Sequence, residues 1–174
     1  MQAEITQLKE YLSLSKRVVI LSHRNPDGDA LGSTLAFSLY LQSKGHRTTV
    51  VLPSDYPLNF EWMPQTEEIV IFDQNPALAE STIKDAEIIA CLDFNSLERI
   101  DKMGVFVNES KVPKVLIDHH IDPEPFADLY FSYVSASSTS EIIYDIITAL
   151  ENKKQINALV RDCLYTGIMT DTGS

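Results

Sequence analysis

The chain has 174 residues, 14 Lys plus Arg against 25 Asp plus Glu, a formal net charge of −11 and 44% hydrophobic residues. That is the composition of one globular domain of ordinary size: it excludes disorder over most of the length, and no run approaches the roughly 18 to 20 apolar residues of a membrane helix. The acidic balance excludes a basic face for long nucleic acid, but not a small phosphorylated substrate, because a carboxylate cluster can gather hard cations that supply the missing positive charge.

The N-terminal segment carries Ile5, Leu8, Tyr11 and Leu12 at helical spacing. Its acids break the basic-then-apolar order of an export signal, and Cys91 and Cys163 sit in apolar runs without paired-thiolate spacing. Both features predict reduced thiols in a cytoplasmic protein. Val18 to Leu21 is a short unbroken apolar run that predicts a buried strand, followed by a polar loop with Pro26 and Gly28 and a helix from about Ala30 to Ser43 closed by Gly45. A strand at His46 to Leu52 and a turn at Pro53-Ser54-Asp55 come next. The rhythm continues with a strand at Ile69 to Phe72, a helix at Pro76 to Lys84, a strand at Ile88 to Leu92, a helix near Leu97 to Met103 and a strand at Lys114 to Ile117. An alternating stretch from Ala127 to Val134 precedes helices near Ser138 to Leu150 and Ile156 to Thr170. Strands alternating with helices predict an α/β fold with a mostly parallel sheet covered by helices on both faces, of Rossmann-like type. The sequence stops at Thr170 to Ser174 with nothing capping the domain, as expected of a fragment.

Open parallel sheets bind ligands at the carboxyl ends of their strands. The first of these runs is followed by Ser22-His23-Arg24-Asn25-Pro26-Asp27-Gly28-Asp29, Ile88 to Leu92 by Asp93, Val115 to Ile117 by Asp118-His119-His120, and the last helix ends at Asp171. Asp27 and Asp29, if locally extended, point the same way about 7 Å apart at Cα, a spacing that suits two ions about 3.5 to 4 Å apart. The plainer reading is a turn whose last Asp caps the next helix. His23 beside these carboxylates suits Mn²⁺, Fe²⁺ or Co²⁺ better than Mg²⁺ or Ca²⁺. Asp93 alone could cap a helix, whereas Asp118-His119-His120 has no helical pattern after it to cap.

Taken together, His23-x-x-x-Asp27-x-Asp29, Asp93, Asp118-His119-His120 and Asp171 resemble the four ordered motifs of the DHH phosphoesterase superfamily. Within it, Ser22 to Ser33 and Ser137-Ser138-Thr139-Ser140-Glu141 resemble the bacterial nanoRNase and 3′-phosphoadenosine-5′-phosphate (pAp) phosphatase group. The resemblance spans essentially the whole chain as one DHH catalytic domain over residues 1–174, with nothing corresponding to the C-terminal DHHA1 substrate-binding domain. It implies that His23 and Asp27 hold a first ion, Asp29, His119 and Asp171 a second, and that Asp93 bridges them. It also implies that His120 contacts the phosphate or acts as an acid toward the leaving oxygen, with Asp118 orienting the histidines. The implied cofactor is a pair of Mn²⁺ ions, with Mg²⁺ or Co²⁺ as substitutes. The implied partners are short RNA oligonucleotides and pAp as substrates, and a second copy in a homodimer, with neither long nucleic acid nor membrane. Alternatives are a manganese pyrophosphatase or a cyclic-dinucleotide phosphodiesterase of the same superfamily, or a nucleotide- or metal-sensing module without catalysis.

Such ions make bound water a nucleophile at neutral pH, so no covalent enzyme intermediate is required; Ser22 points away from His23 on a strand and is a poor nucleophile. Arg24 and Asn25 are weaker substrate-contact candidates, as is Ser138, whose run reads first as a capping box and second as an anion-binding helix terminus. His46 reads as exposed turn, Lys153-Lys154 as a polar helix end, and Trp62 and the methionines as packing.

Overall fold

The computed structural model describes residues 1–151 and 156–173. The predicted Lys153-Lys154 helix end and the terminal Ser174 lie outside them. In chain order the elements are α1 (Gln2–Tyr11), β1 (Arg17–Leu21), α2 (Gly28–Ser43), β2 (Arg47–Leu52), β3 (Val70–Ile71), α3 (Pro76–Lys84), β4 (Ile88–Leu92), α4 (Met103–Glu109), β5 (Lys114–Asp118), β6 (Leu129–Ser132), α5 (Thr139–Glu151) and α6 (Ala158–Thr172). The strands form a six-stranded sheet in the order β3-β2-β1-β4-β5-β6, and every neighbouring pair is parallel.

The unbroken apolar runs are central strands because both of their faces are covered. Along β1, Val18 and Ile20 enter one core layer while Val19 and Leu21 enter the other, and β4 and β5 alternate likewise. The first layer is completed by α1, α2, α5 and α6 through Ile5, Leu31, Ile143 and Cys163; the second by α3 and α4 through Ala79, Ile83, Met103 and Val107. Each large side chain buried this way contributes about 1.5–3 kcal/mol. At the edge, β6 buries only Leu129 and Phe131, which accounts for the alternation in its sequence.

This order has a consequence for function. The chain winds outward from β1 through β2 to β3, then returns to β4 beside β1 and winds the other way. The carboxyl ends of β1 and β4 therefore flank the crevice where an open α/β sheet takes its ligand.

Three local expectations are corrected. Leu97–Ile100 is a 3₁₀ turn, and α4 begins only at Met103. The break falls at Asp101, whose φ of 52° cannot continue a helix. His46 is buried at 7% exposure, its Nδ1 accepting the Lys16 N–H at 3.2 Å. Trp62 is 62% exposed beside the 3₁₀ turn Leu58–Phe60, whereas its neighbour Met63 is buried. No helix among the described residues is long and apolar enough to cross a membrane.

Candidate metal centre

His23 leaves the end of β1, Asp93 the end of β4, and His119 and His120 the end of β5, while Asp27 and Asp29 open α2 and Asp171 lies in the last turn of α6. Two backbone positions here are left-handed, Asn25 at φ 54° and Asp93 at φ 64°. Asp and Asn tolerate this conformation better than most residues, and strain of this kind collects at functional sites. The Asp93 N–H still pairs with the Ile117 carbonyl at 3.0 Å, so the chain turns out of the sheet only after that residue is anchored.

The side chains converge. Ligand atoms of His23, Asp27 and Asp93 lie within 4.8 Å of one another, as do those of Asp29, His119 and Asp171. Asp93 faces both groups: Oδ2 is 3.4 Å from His23 Nε2, and Oδ1 is 3.6 Å from His119 Nε2, which in turn is 3.5 Å from Asp171 Oδ2. Asp93, His119 and His120 form a third such grouping. There, however, His120 Nδ1 is already committed to Asp118 Oδ1 at 2.7 Å. His23 Nδ1 lies 2.9 Å from the Arg24 carbonyl oxygen, which accepts its proton and so turns Nε2 toward Asp93.

Asp27 is the N-cap of α2, its Oδ1 accepting the N–H groups of Asp29 and Ala30. It thus caps and faces His23 at once, and the cap is Asp27 rather than the last Asp of the turn. Asp29, one residue into the helix, is 1% exposed, and its two carboxylate oxygens accept the N–H groups of Thr139 and Ser140 at 2.7 and 2.9 Å. The N-terminus of α5 is therefore occupied by a carboxylate of the protein itself. Ser138 caps that helix, its hydroxyl accepting the Glu141 N–H, while Glu141 reaches back to the N–H and hydroxyl of Ser137.

Arg24 is held by Asp73 through two bonds of 2.9 Å and lies 3.2 Å from Asp101, so its guanidinium braces the loop. The Asn25 N–H donates to Ser54 Oγ. Ser22 turns away from His23 and donates to the Leu92 carbonyl.

Electrostatics explain what such a site can hold. Among the described residues no Lys or Arg lies within ion-pair distance of Asp27, Asp29, Asp93 or Asp171. Burial, with Asp93 adding, pushes the Asp29 carboxyl up to about 7 despite the Ser140 and Thr139 N–H groups. Burial also raises Asp171, reinforced by Asp93 and Asp27 against the pull of His119. Burial opposes a charged His23, yet its bond to Asp93, the Arg24 carbonyl and Asp27 carry its pKa above the ordinary value. The Asp118 bond raises His120. Of the four carboxylates Asp29 and Asp93 are buried while Asp27 and Asp171 are exposed, and two buried carboxylates so close together are costly unless cations offset them. Two groups of one imidazole and two carboxylates each, sharing a wall at Asp93, have the donor chemistry of borderline divalent ions.

Close helix packing holds this geometry. A Cβ at Gly32 of α2 would stand 2.6 Å from the Cys163 carbonyl oxygen and 2.8 Å from Gly167 N, and one at Gly167 would meet Ser140 Oγ and Asp29 Oδ1. Neither glycine, nor the role of Thr139, is evident from the sequence pattern. The capping box marks where α5 begins, but not that its free N–H groups face a carboxylate 110 positions earlier.

Fold and site define an α/β protein with a carboxylate–histidine centre at the switch point of a parallel sheet. Residues 17–168 match the DHH family, N-terminal domain, and the chain belongs to that family. It is 31% identical over 156 residues to the probable bifunctional oligoribonuclease and PAP phosphatase NrnA of Streptococcus mutans, covering 90% of this chain and 46% of that protein. A crystal structure of an exopolyphosphatase-related protein from Bacteroides fragilis superposes with a TM-score of 0.97 at 38% identity, over 99% of this chain and 51% of that one. RecJ of Thermus thermophilus in complex with Mn²⁺ shares the fold at 14% identity and a TM-score of 0.60, over 98% of this chain and 24% of that one. The chain spans about half the length of the NrnA relatives it matches, and about a fifth to a quarter of several longer ones.

Proposed function

We propose that the chain is the catalytic part of a metal-dependent phosphohydrolase acting on short oligoribonucleotides and on pAp. The observation that carries this reading is the split carboxylate of Asp93, with one oxygen toward His23 and the other toward His119. Proteins matching along most of this chain, among them the Streptococcus mutans relative named for both activities, support the substrate class.

His23 and Asp27 would hold one divalent ion, Asp29, His119 and Asp171 the other, and Asp93 both; Mn²⁺ suits the mixed nitrogen and oxygen donors, with Mg²⁺ or Co²⁺ in its place. Bound there, the ions supply a lowered pKa to attacking water and offset the charge that builds on the phosphoryl oxygens. The chain's own residues do the rest. His120, tied through Nδ1 to Asp118 and raised in pKa by it, is the group placed to deliver a proton from Nε2 to the leaving oxygen as the P–O bond breaks. Asp118, fully buried at the end of β5, fixes the ring's orientation. Asp171, its side chain 27% exposed against 2% for Asp93, marks the open side of the centre, from which a small phosphorylated substrate would approach. A net charge of −11 is poorly suited to a long polyanion.

The test incubates the chain with Mn²⁺ and, separately, a ribodinucleotide, pAp and inorganic pyrophosphate, following mononucleotide and phosphate release, with Asp93→Ala as control. Turnover of the dinucleotide and pAp, abolished in the variant, is expected. Rapid cleavage of pyrophosphate alone, or turnover unchanged in the variant, refutes the reading.

A further inference from the structure

We infer that Thr139 is a positioning residue that sets the orientation of the Asp93 carboxylate between the two halves of the metal centre. The inference rests on the two-ion reading above and adds a residue outside the ligand set.

Thr139 is fully buried at the first position of α5. Its hydroxyl donates to Asp93 Oδ1 at 2.9 Å, and its backbone N–H donates to Asp29 Oδ2 at 2.7 Å. A single residue thus grips one carboxylate from each group, with the Ser140 N–H completing the hold on Asp29. The two bonds differ in what they constrain. Asp29 is held by backbone groups at both oxygens, so no side-chain change at Thr139 releases it. Asp93 accepts the Thr139 hydroxyl at Oδ1 alone, while Oδ2 faces His23. Rotation of the carboxylate about its Cβ–Cγ bond would exchange the two oxygens, and the Thr139 O–H resists that rotation by marking one of them. The oxygen so marked is the one that stands 3.6 Å from His119 Nε2. Thr139 is β-branched with few χ1 choices and is enclosed by packing, so its hydroxyl is a fixed reference for Asp93. Hydrogen bonds to ligating carboxylates tune metal affinity, typically by 10- to 100-fold when removed.

The test is calorimetric titration of Mn²⁺ into the chelator-stripped chain, comparing wild type, Thr139→Val and Thr139→Ser, each first shown to fold by circular dichroism. Valine keeps shape and removes the donor; serine keeps the donor. Wild type taking up two equivalents, Thr139→Val weakening at least one of them by roughly 10- to 100-fold, and Thr139→Ser recovering most of that loss is the expected result. Should Thr139→Val not fold, Thr139→Ala, which also lacks the donor, replaces it. Wild-type binding in the donor-less variant overturns the inference, as does equal weakening in Val and Ser, which would mark a role in shape alone. Fewer than two equivalents in wild type refutes the two-ion reading itself, and the inference with it, before any variant is compared.

Discussion

Replacing Gly32 by alanine reverses the usual sign of a helix substitution. Within a helix, Gly→Ala ordinarily stabilises by about 1 kcal/mol. Here the added Cβ would stand 2.6 Å from the Cys163 carbonyl oxygen and 2.9 Å from Gly167 Cα, both backbone atoms of α6 that no rotamer change can move. Restoring an ordinary contact of 3.4 Å requires α6 to retreat by roughly 0.8 Å. Overpacking of this kind costs about 1–3 kcal/mol, which exceeds the propensity gain and leaves a net loss of about 1 kcal/mol. For a chain of this size that lowers Tm by roughly 2–4 °C. The retreat also shifts Asp171, in the last turn of the same helix, relative to His119 and Asp29, and ligand sets tolerate only about 0.5 Å of misplacement. Thermal melts with Mn²⁺ and with chelator, together with an Mn²⁺ titration, read both effects: a lower Tm in each condition and weaker binding. A variant about 1 kcal/mol more stable than wild type with unchanged metal affinity would refute the close-packing explanation.

Further outcomes follow from the same geometry. Asp118→Asn removes the group that raises His120, so the basic limb of the kcat–pH profile should move to lower pH, read from initial rates on a dinucleotide; an unmoved limb contradicts the proton-donor role. In chelator, the Asp29 carboxyl, raised from 3.8 to about 7, binds its proton more tightly in the folded than in the unfolded chain. Its stabilising contribution is complete below about pH 4 and is lost as pH rises toward 7, so urea melts at pH 5 and 7.5 should differ more for wild type than for Asp29→Asn. Ile143→Ala, deleting a fully buried side chain of α5, should cost about 2–5 kcal/mol in urea denaturation, with a loss under 1 kcal/mol contradicting the packing described for that layer.

The parts of this fold that could be read in the sequence are those governed by short-range chemistry. β1, β4 and β5 are unbroken apolar runs because both faces are buried, and each delivers its His or Asp at the end where a parallel sheet meets its ligand. What could not be read depends on partners distant in sequence or on local backbone turns that composition does not announce. His46 has the flanks of an exposed turn and is buried because its ring accepts a bond from Lys16, 30 residues away. Trp62 has the composition of a core residue but sits at a short 3₁₀ turn that presents it to solvent. Leu97 to Met103 has helical composition, interrupted by the left-handed Asp101. Ser138 attracts attention as a hydroxyl at a helix start, while its neighbour Thr139 reaches Asp93.

Anomalous diffraction at the manganese edge, from crystals of the chain grown or soaked with Mn²⁺, measures the proposed centre directly. Two peaks about 3.5–4 Å apart are expected, one against His23 and Asp27, the other against Asp29, His119 and Asp171, with Asp93 touching both. A single peak outside these residues, or none at saturating Mn²⁺, would contradict it.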